Sequence, residues 1–220
     1  METVVVVSKF TEDVSWLDYI KHKKVVYDKS DNPIEGSYHR PNVGRESETF
    51  LHYIITNYYT LPDIVIFLQG DPRSNPVSYT HLDAIRIINN DHPSELKPIL
   101  TWSRDILDSS YWLKRVKILN DILFENGEII NYSSGVQYVV PKRCITQRPI
   151  DLYLLLYSLV LKFGLKPLDT DKDNVVNGVD PWTLELIWGN IFNEKKILKS
   201  NYYTKLLKNL QDTLHFEENL

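Results

Sequence analysis

Cysteine is almost missing from this chain. Cys144 is alone among 220 residues, so no internal disulfide can form, and the sequence reads as one suited to a reducing compartment, the cytoplasm. Glycine is sparse at eight residues and never falls into G-x-G-x-x-G, a Walker A pattern or G-x-S-x-G. The dinucleotide fingerprint, the P-loop and the hydrolase elbow are therefore absent. The six histidines (His22, His39, His52, His81, His92 and His215) show neither H-x-x-x-H nor H-E-x-x-H spacing, which argues against zinc chemistry. Long apolar runs are lacking too. The longest, Ile150 to Phe163, is interrupted by Asp151, Ser158 and Lys162 and is shorter than the roughly 20 residues a spanning helix needs. Val4 to Val7 is too short for a signal-peptide core. Nor does one sign of charge dominate. With 25 Lys+Arg against 29 Asp+Glu, net charge is −4 and the pI is near 5.9, which gives no electrostatic footprint for nucleic acid or an anionic membrane.

What is present suits a soluble globular protein: 43% hydrophobic and 25% charged residues in a length that fits a single domain over residues 1–220. Aromatics are plentiful at 12% (14 Tyr, 7 Phe, 5 Trp), which serves a packed core or a pocket for flat ligands equally well.

The pattern of elements is that of an α/β fold. Thr3 to Ser8 is a β-branched run, the mark of a strand buried on both faces. Trp16, Leu17 and Ile20 follow at helical spacing, and Lys24 to Tyr27 is a second strand closed by a polar turn. From Glu46 to Tyr59 the apolar positions Phe50, Leu51, Ile54, Ile55 and Tyr58 mark one helical face, with Glu46 and Glu48 in the favourable first turn. Ile64 to Leu68 is a third buried strand ending in Gln69-Gly70-Asp71-Pro72. The order β-α-β-loop-α-β predicts a mixed, mostly parallel sheet with ligands at the carboxyl ends of its strands. Beyond it, Pro93 to Trp102 reads as loop, Ile106 to Leu119 as helix and Gln137 to Val140 as a strand stopped by Pro141. Ile150 to Lys162 reads as a buried helix ending at Gly164, and Leu165 to Gly178 as an acidic surface loop. Asp180-Pro181 opens a helix running to Phe192, and Leu206 to Leu214 forms a last amphipathic helix.

Chemistry concentrates at the strand ends. Asp71 follows a buried strand beside a glycine that admits close approach, a way to hold a metal and a diphosphate through oxygen ligands. The same tripeptide also makes an ordinary capped turn. Gly44-Arg45 at a helix start offers free N–H groups and a fixed cation for an anion, or simply a cap with a solvated arginine. Lys9 to Asp13 and Asp28-Lys29 follow neighbouring strands and share one rim if those strands are parallel. Asp169, Asp171 and Asp173 contain a D-x-D but follow no buried strand, and read as a solvated acidic loop.

Several segments taken together carry a resemblance: Val4 to Leu17, Pro41 to Glu46 running to Ile55, and Leu61 to Pro72. Gly135 to Val140 with Arg148-Pro149, and Leu184 to Trp188, add to it. They resemble a family of fungi, bacteria and large viruses whose structural relatives are GT-A-type glycosyltransferases, among them a chlorovirus domain that builds capsid glycans. The resemblance spans roughly residues 3 to 192. It implies a GT-A-like, Rossmann-like fold and transfer of a hexosyl or deoxyhexosyl group from a nucleoside-diphosphate sugar, UDP favoured, to a glycan or glycoprotein acceptor. It implies Mn²⁺ or Mg²⁺ at the diphosphate and, for a viral chain, work in the host cytoplasm. Ser8, Phe10, Glu12, Asp13, Asp28, Arg45, Gln69, Gly70 and Asp71 are then the nucleotide-side positions, with Asp71 as the metal ligand. The family's D-x-D is Gln69-Gly70-Asp71 here, so the first acid is missing. An inverting reaction also needs a carboxylate base, for which Asp180 and Glu185 are the candidates. The alternatives are a nucleotide-sugar hydrolase and a non-catalytic nucleotide- or carbohydrate-binding module. A purely structural partner, docking through Leu206 to Leu214, is a third.

Overall fold

The computed structural model describes residues 1–72, 80–90, 95–99, 119–125, 136–164 and 181–199, with residues 205 and 208; for 162–164 and 181–183 it describes the backbone alone. In chain order these form β1 (Thr3–Lys9), a 3₁₀ turn (Ser15–Tyr19), β2 (Lys23–Asp28), β3 (Tyr38–His39), α1 (Arg45–Asn57), β4 (Ile64–Gln69) and α2 (His81–Asn89). There follow β5 (Lys97–Pro98), β6 (Tyr138–Pro141), α3 (Lys142–Thr146), α4 (Ile150–Gly164) and α5 (Pro181–Phe192).

One six-stranded sheet has the order β3-β2-β1-β4-β6-β5. Strands β3, β2, β1 and β4 run parallel, while β6 lies antiparallel to both β4 and β5. The expected mixed, mostly parallel sheet with flanking helices is thus observed. Alternation along the strands divides the core into two layers. Val4 and Val6 of β1, Val65 and Phe67 of β4, and Tyr138 and Val140 of β6 pack with residues of α1, α3, α4 and α5 on one face. Val5, Val7, Ile64, Ile66, Leu68 and Val139 turn to the other face, against Trp16, Leu17 and Ile20 around the 3₁₀ turn and Ala84 and Ile88 of α2. On the first face Phe67 lies among Phe50, Tyr53 and Phe192, at centroid separations of 4.8, 6.2 and 5.9 Å.

Several sequence expectations need correction in detail. The segment after β1 is a five-residue 3₁₀ turn, because only Trp16 and Leu17 within it are buried and a longer helix has no further apolar face to cover. Lys97–Pro98, inside the stretch read as loop, pairs with β6. Tyr38–His39 adds an edge strand too short for a period-2 signal. Helix α2 was unforeseen, although Thr80 and Asp83 form a reciprocal capping box at its start. The expected acidic loop, with Asp169, Asp171 and Asp173, lies outside the described residues, as do the last amphipathic helix Leu206 to Leu214 apart from Lys208 and nearly all of Ile106 to Leu119. Among the described residues, no helix is long and apolar enough to cross a membrane.

Candidate functional site at the carboxyl rim

From β1 the chain steps outward through β2 to β3, then returns to the other side of β1 as β4. Connections leave β1 and β4 in opposite directions, and in open α/β sheets such a switch point opens a crevice at the carboxyl ends of the strands. The segments bordering it are Ser8-Lys9-Phe10 and Gln69-Gly70-Asp71, with Ser8 in register with Gln69.

On the β4 side, Gly70 has a close neighbour. A Cβ there would stand 2.8 Å from Glu12 Oε2 and 3.1 Å from its carboxyl carbon, so the Glu12 side chain lies directly against the glycine. Glu12 is itself oriented by accepting the Phe10 N–H at 2.6 Å. Trp16 Nε1 donates to the Gly70 carbonyl at 3.0 Å, and Gln69 Nε2 donates to the Asp71 carbonyl at 2.6 Å, so the backbone of this turn is fixed from both sides. The Trp16 ring stacks on His81, 5.9 Å between centroids and 10° between planes. His81 Nε2 lies 3.4 Å from Asp71 Oδ1, the two side chains being 31% and 36% exposed. The nitrogen itself is covered and has no hydrogen-bond partner among the described residues. Val136, two residues before the Tyr138 that pairs with Phe67, is buried at φ 57°. A β-branched residue held in that region stores about 1–3 kcal/mol of strain, here beside the carboxyl end of β4.

The β2 side is closed by internal partners. Lys9 Nζ meets Asp28 Oδ2 at 3.0 Å and donates to the Phe10 carbonyl at 2.8 Å. Asp28, fully buried, also accepts from Ser30 N, Ser30 Oγ and Ile34 N at 2.9, 2.6 and 3.1 Å. Burial alone would raise its pKa, but these donors and Lys9 outweigh it and bring the carboxyl down to about 2. Lys29 Nζ donates to Glu48 Oε2 at 2.6 Å and to the Val43 and Pro41 carbonyls at 2.8 and 3.3 Å, tying the loop before α1 to the end of β2. Glu48, also fully buried, further accepts from Arg40 Nη2 and from the Tyr157 hydroxyl at 3.1 Å. Its pKa falls despite burial because Lys29 and Arg40 hold the charge.

The third part of the site is the start of α1. Gly44 (φ 60°) and Arg45 (φ 49°) are both left-handed, and a Cβ on Gly44 would run into Val160 Cγ1 of α4. Glu46 is half-buried with its pKa raised by burial and then by the neighbouring charge of Glu185. Trp188, one turn beyond Glu185, is anchored to α1 by donating from Nε1 to Ser47 Oγ at 3.0 Å.

The structure therefore gathers Phe10, Glu12, Gln69, Gly70 and Asp71 at the switch point, and sets Arg45 with Glu185 at the neighbouring helix start. Phe10 is 42% exposed at the end of β1. Ser8 is turned to α1, its hydroxyl 3.0 Å from Thr49 Oγ1. Asp13 opens the 3₁₀ turn by accepting from Ser15 N and Oγ at 2.9 and 3.0 Å, which lowers its pKa. Asp28 is a structural anchor by its geometry, and Asp180 lies outside the described residues. His81 and Trp16 were missed as site residues. The Thr80-x-x-Asp83 capping box, which begins nine residues past Asp71, was the available signal, since it brings a helix start back to the same rim. Among the described residues, no group of three or more His, Cys, Asp or Glu is arranged to hold a metal ion.

The family described as a protein of unknown function (DUF3431) matches residues 4–98. That stretch runs from β1 to β5 and contains both borders of the switch point, together with Asp71 and His81. Comparison with curated proteins and with solved structures gives no match.

Proposed function

We propose that the chain is a GT-A-like glycosyltransferase that moves a sugar from a nucleoside-diphosphate sugar, UDP favoured, to a glycan or glycoprotein acceptor. The observation that carries this reading is Asp71: a part-exposed carboxylate at the switch point, on a turn whose backbone is held by Trp16 and Gln69. Mg²⁺ and Mn²⁺ are commonly bound by one or two protein ligands with substrate phosphates completing the set, a demand that a carboxylate on this turn can meet. Asp71 would hold that metal, which when bound neutralises charge developing on the leaving diphosphate.

The chain's own residues supply the rest. Phe10 offers an exposed ring for a base at the β1 end of the crevice. Arg45, at the positive end of the α1 dipole, attracts phosphate. Glu185, whose charge is felt by Glu46 at the start of α1, is the described carboxylate placed to take an acceptor proton. Thermal stability with UDP, GDP or CDP, each with Mn²⁺ and again with EDTA, tests the reading, since a ligand that binds only the native state raises the midpoint. A metal-dependent shift with one nucleotide is expected. Asp71→Ala should abolish that shift and sugar transfer while leaving the unliganded midpoint unchanged; an active Asp71→Ala variant removes its metal role. Turnover of the donor with no need of an acceptor favours a hydrolase instead, and tight binding without turnover favours a binding module.

A further inference from the structure

We propose that His81 and Asp71 form a two-ligand seat for a divalent transition-metal ion, with the imidazole in the role that a second acid would otherwise play. The inference rests on the metal-assisted reading above and adds to it a protein ligand and a metal preference. His81 Nε2 is a covered ring nitrogen that makes no hydrogen bond among the described residues and has the Asp71 carboxylate as its ion-pair neighbour. It lies 3.4 Å from Asp71 Oδ1 without the alignment of a hydrogen bond. Two donors at roughly 2.1 Å from a common ion stand about 3.0 to 3.4 Å apart for ligand angles between 90° and 110°. The observed separation thus accepts an ion between the two atoms with little movement of either.

Both ligands are also held from behind. Trp16 stacks on the imidazole while donating to the Gly70 carbonyl, one residue before Asp71. The Thr80–Asp83 capping box fixes the first turn of α2, where His81 stands. Ligands supported in this way cost little to order on binding. An imidazole with a carboxylate suits Mn²⁺ and its transition-metal neighbours, whereas an all-oxygen set suits Mg²⁺ and Ca²⁺. The seat therefore distinguishes Mn²⁺ from Mg²⁺ before any nucleotide arrives.

The test uses the full chain and MnCl₂ alone. Mn²⁺ binding is followed by loss of the free-ion electron paramagnetic resonance signal, and pulsed spectra of the bound ion are examined for ¹⁴N modulation from a coordinated imidazole. Saturable binding with ¹⁴N modulation is expected, and tenfold excess Mg²⁺ should fail to displace the ion. His81→Gln should weaken Mn²⁺ binding by at least about tenfold and remove the modulation. Bound Mn²⁺ without ¹⁴N modulation in the unmodified protein overturns the proposal whatever the variant does, so a variant that fails to fold does not decide the matter. Equal Mn²⁺ affinity in folded His81→Gln also overturns it. A nucleotide shift that needs metal and Asp71 but shows no nitrogen ligand rejects this seat and leaves the transferase reading standing. Nitrogen-ligated Mn²⁺ with no response to any nucleotide does the reverse.

Discussion

The two halves of the carboxyl rim are built from the same residue types and to opposite ends. On the β2 side Asp28, Lys9, Lys29 and Glu48 are buried and bonded to one another, to backbone carbonyls and to Ser30, leaving little for a ligand. On the β4 side Asp71 and His81 are about a third exposed, meet without a hydrogen bond and leave a covered nitrogen unmatched. A buried charge is tolerated only when its partners are supplied. The β2 half meets that requirement internally and so acts as architecture, fixing where the Gly44-Arg45 turn sits. On the β4 half the requirement is weaker, because Asp71 and His81 are part-exposed to solvent.

Breaking the saturated half should have the largest effect on stability. Glu48→Ala leaves Lys29 buried beside two carbonyls with no counter-charge and deprives Arg40 and Tyr157 of their acceptor. Removing one partner of such a group costs about 3–5 kcal/mol, measured by urea unfolding. Adding Lys29→Met should recover part of that loss, since the stranded cation is then gone. If the double variant is no more stable than Glu48→Ala, Lys29 does not carry the penalty. Asp71→Ala, in contrast, should change the unfolding free energy by less than about 0.5 kcal/mol, as expected of a part-exposed side chain.

The two rim-facing glycines sharpen the same contrast. Gly44 combines a left-handed φ with contact against Val160, a stiff side chain fixed in the core. Gly44→Ala adds overpacking to backbone strain, about 2–4 kcal/mol together. Gly70 meets the Glu12 side chain, whose outer atoms can swing away. Gly70→Ala should cost less than about 1 kcal/mol. It should nevertheless weaken the metal-dependent nucleotide shift, because Glu12 is pushed into the crevice. Equal destabilisation by the two substitutions would mean that Glu12 is as rigidly seated as Val160.

What could be read from the sequence follows from which interactions are local. The buried strands Thr3–Lys9 and Ile64–Gln69 and the amphipathic α1 announce themselves by period, and a parallel β1–β2 pair duly puts Lys9 in register with Asp28. Composition placed Asp28 and Asp71 in one class, an acid after a buried strand. Only the fold separates them, because Asp28 finds four donors within its own turn and across the β1 register whereas Asp71 faces a helix that starts ten residues later. Glu48 looked like a helix-dipole residue. Its partner Lys29 is nineteen positions away and Tyr157 more than a hundred, so no local pattern could reveal the network. His81 carries no local signal because the side chain it meets, Asp71, stands ten positions back on the turn after β4.

One further stability effect on the closed half is set by acid. Asp28 has its pKa at about 2 in the folded state, against 3.8 for the ordinary group. A carboxyl depressed in this way stabilises the fold above its unfolded pKa, and the contribution is lost as pH falls through the folded value. Between pH 4 and pH 2 the protein should therefore lose about 2 kcal/mol through Asp28, with Glu48 adding in the same direction. Asp28→Asn keeps the shape but discards the charge, so its unfolding free energy should start lower at neutral pH and fall less steeply over that interval. An unchanged slope would place the acid sensitivity in Glu48 instead. It would also leave Lys9 seated by the Phe10 carbonyl alone, and the Lys9–Asp28 ion pair would then contribute nothing to the closed half of the rim.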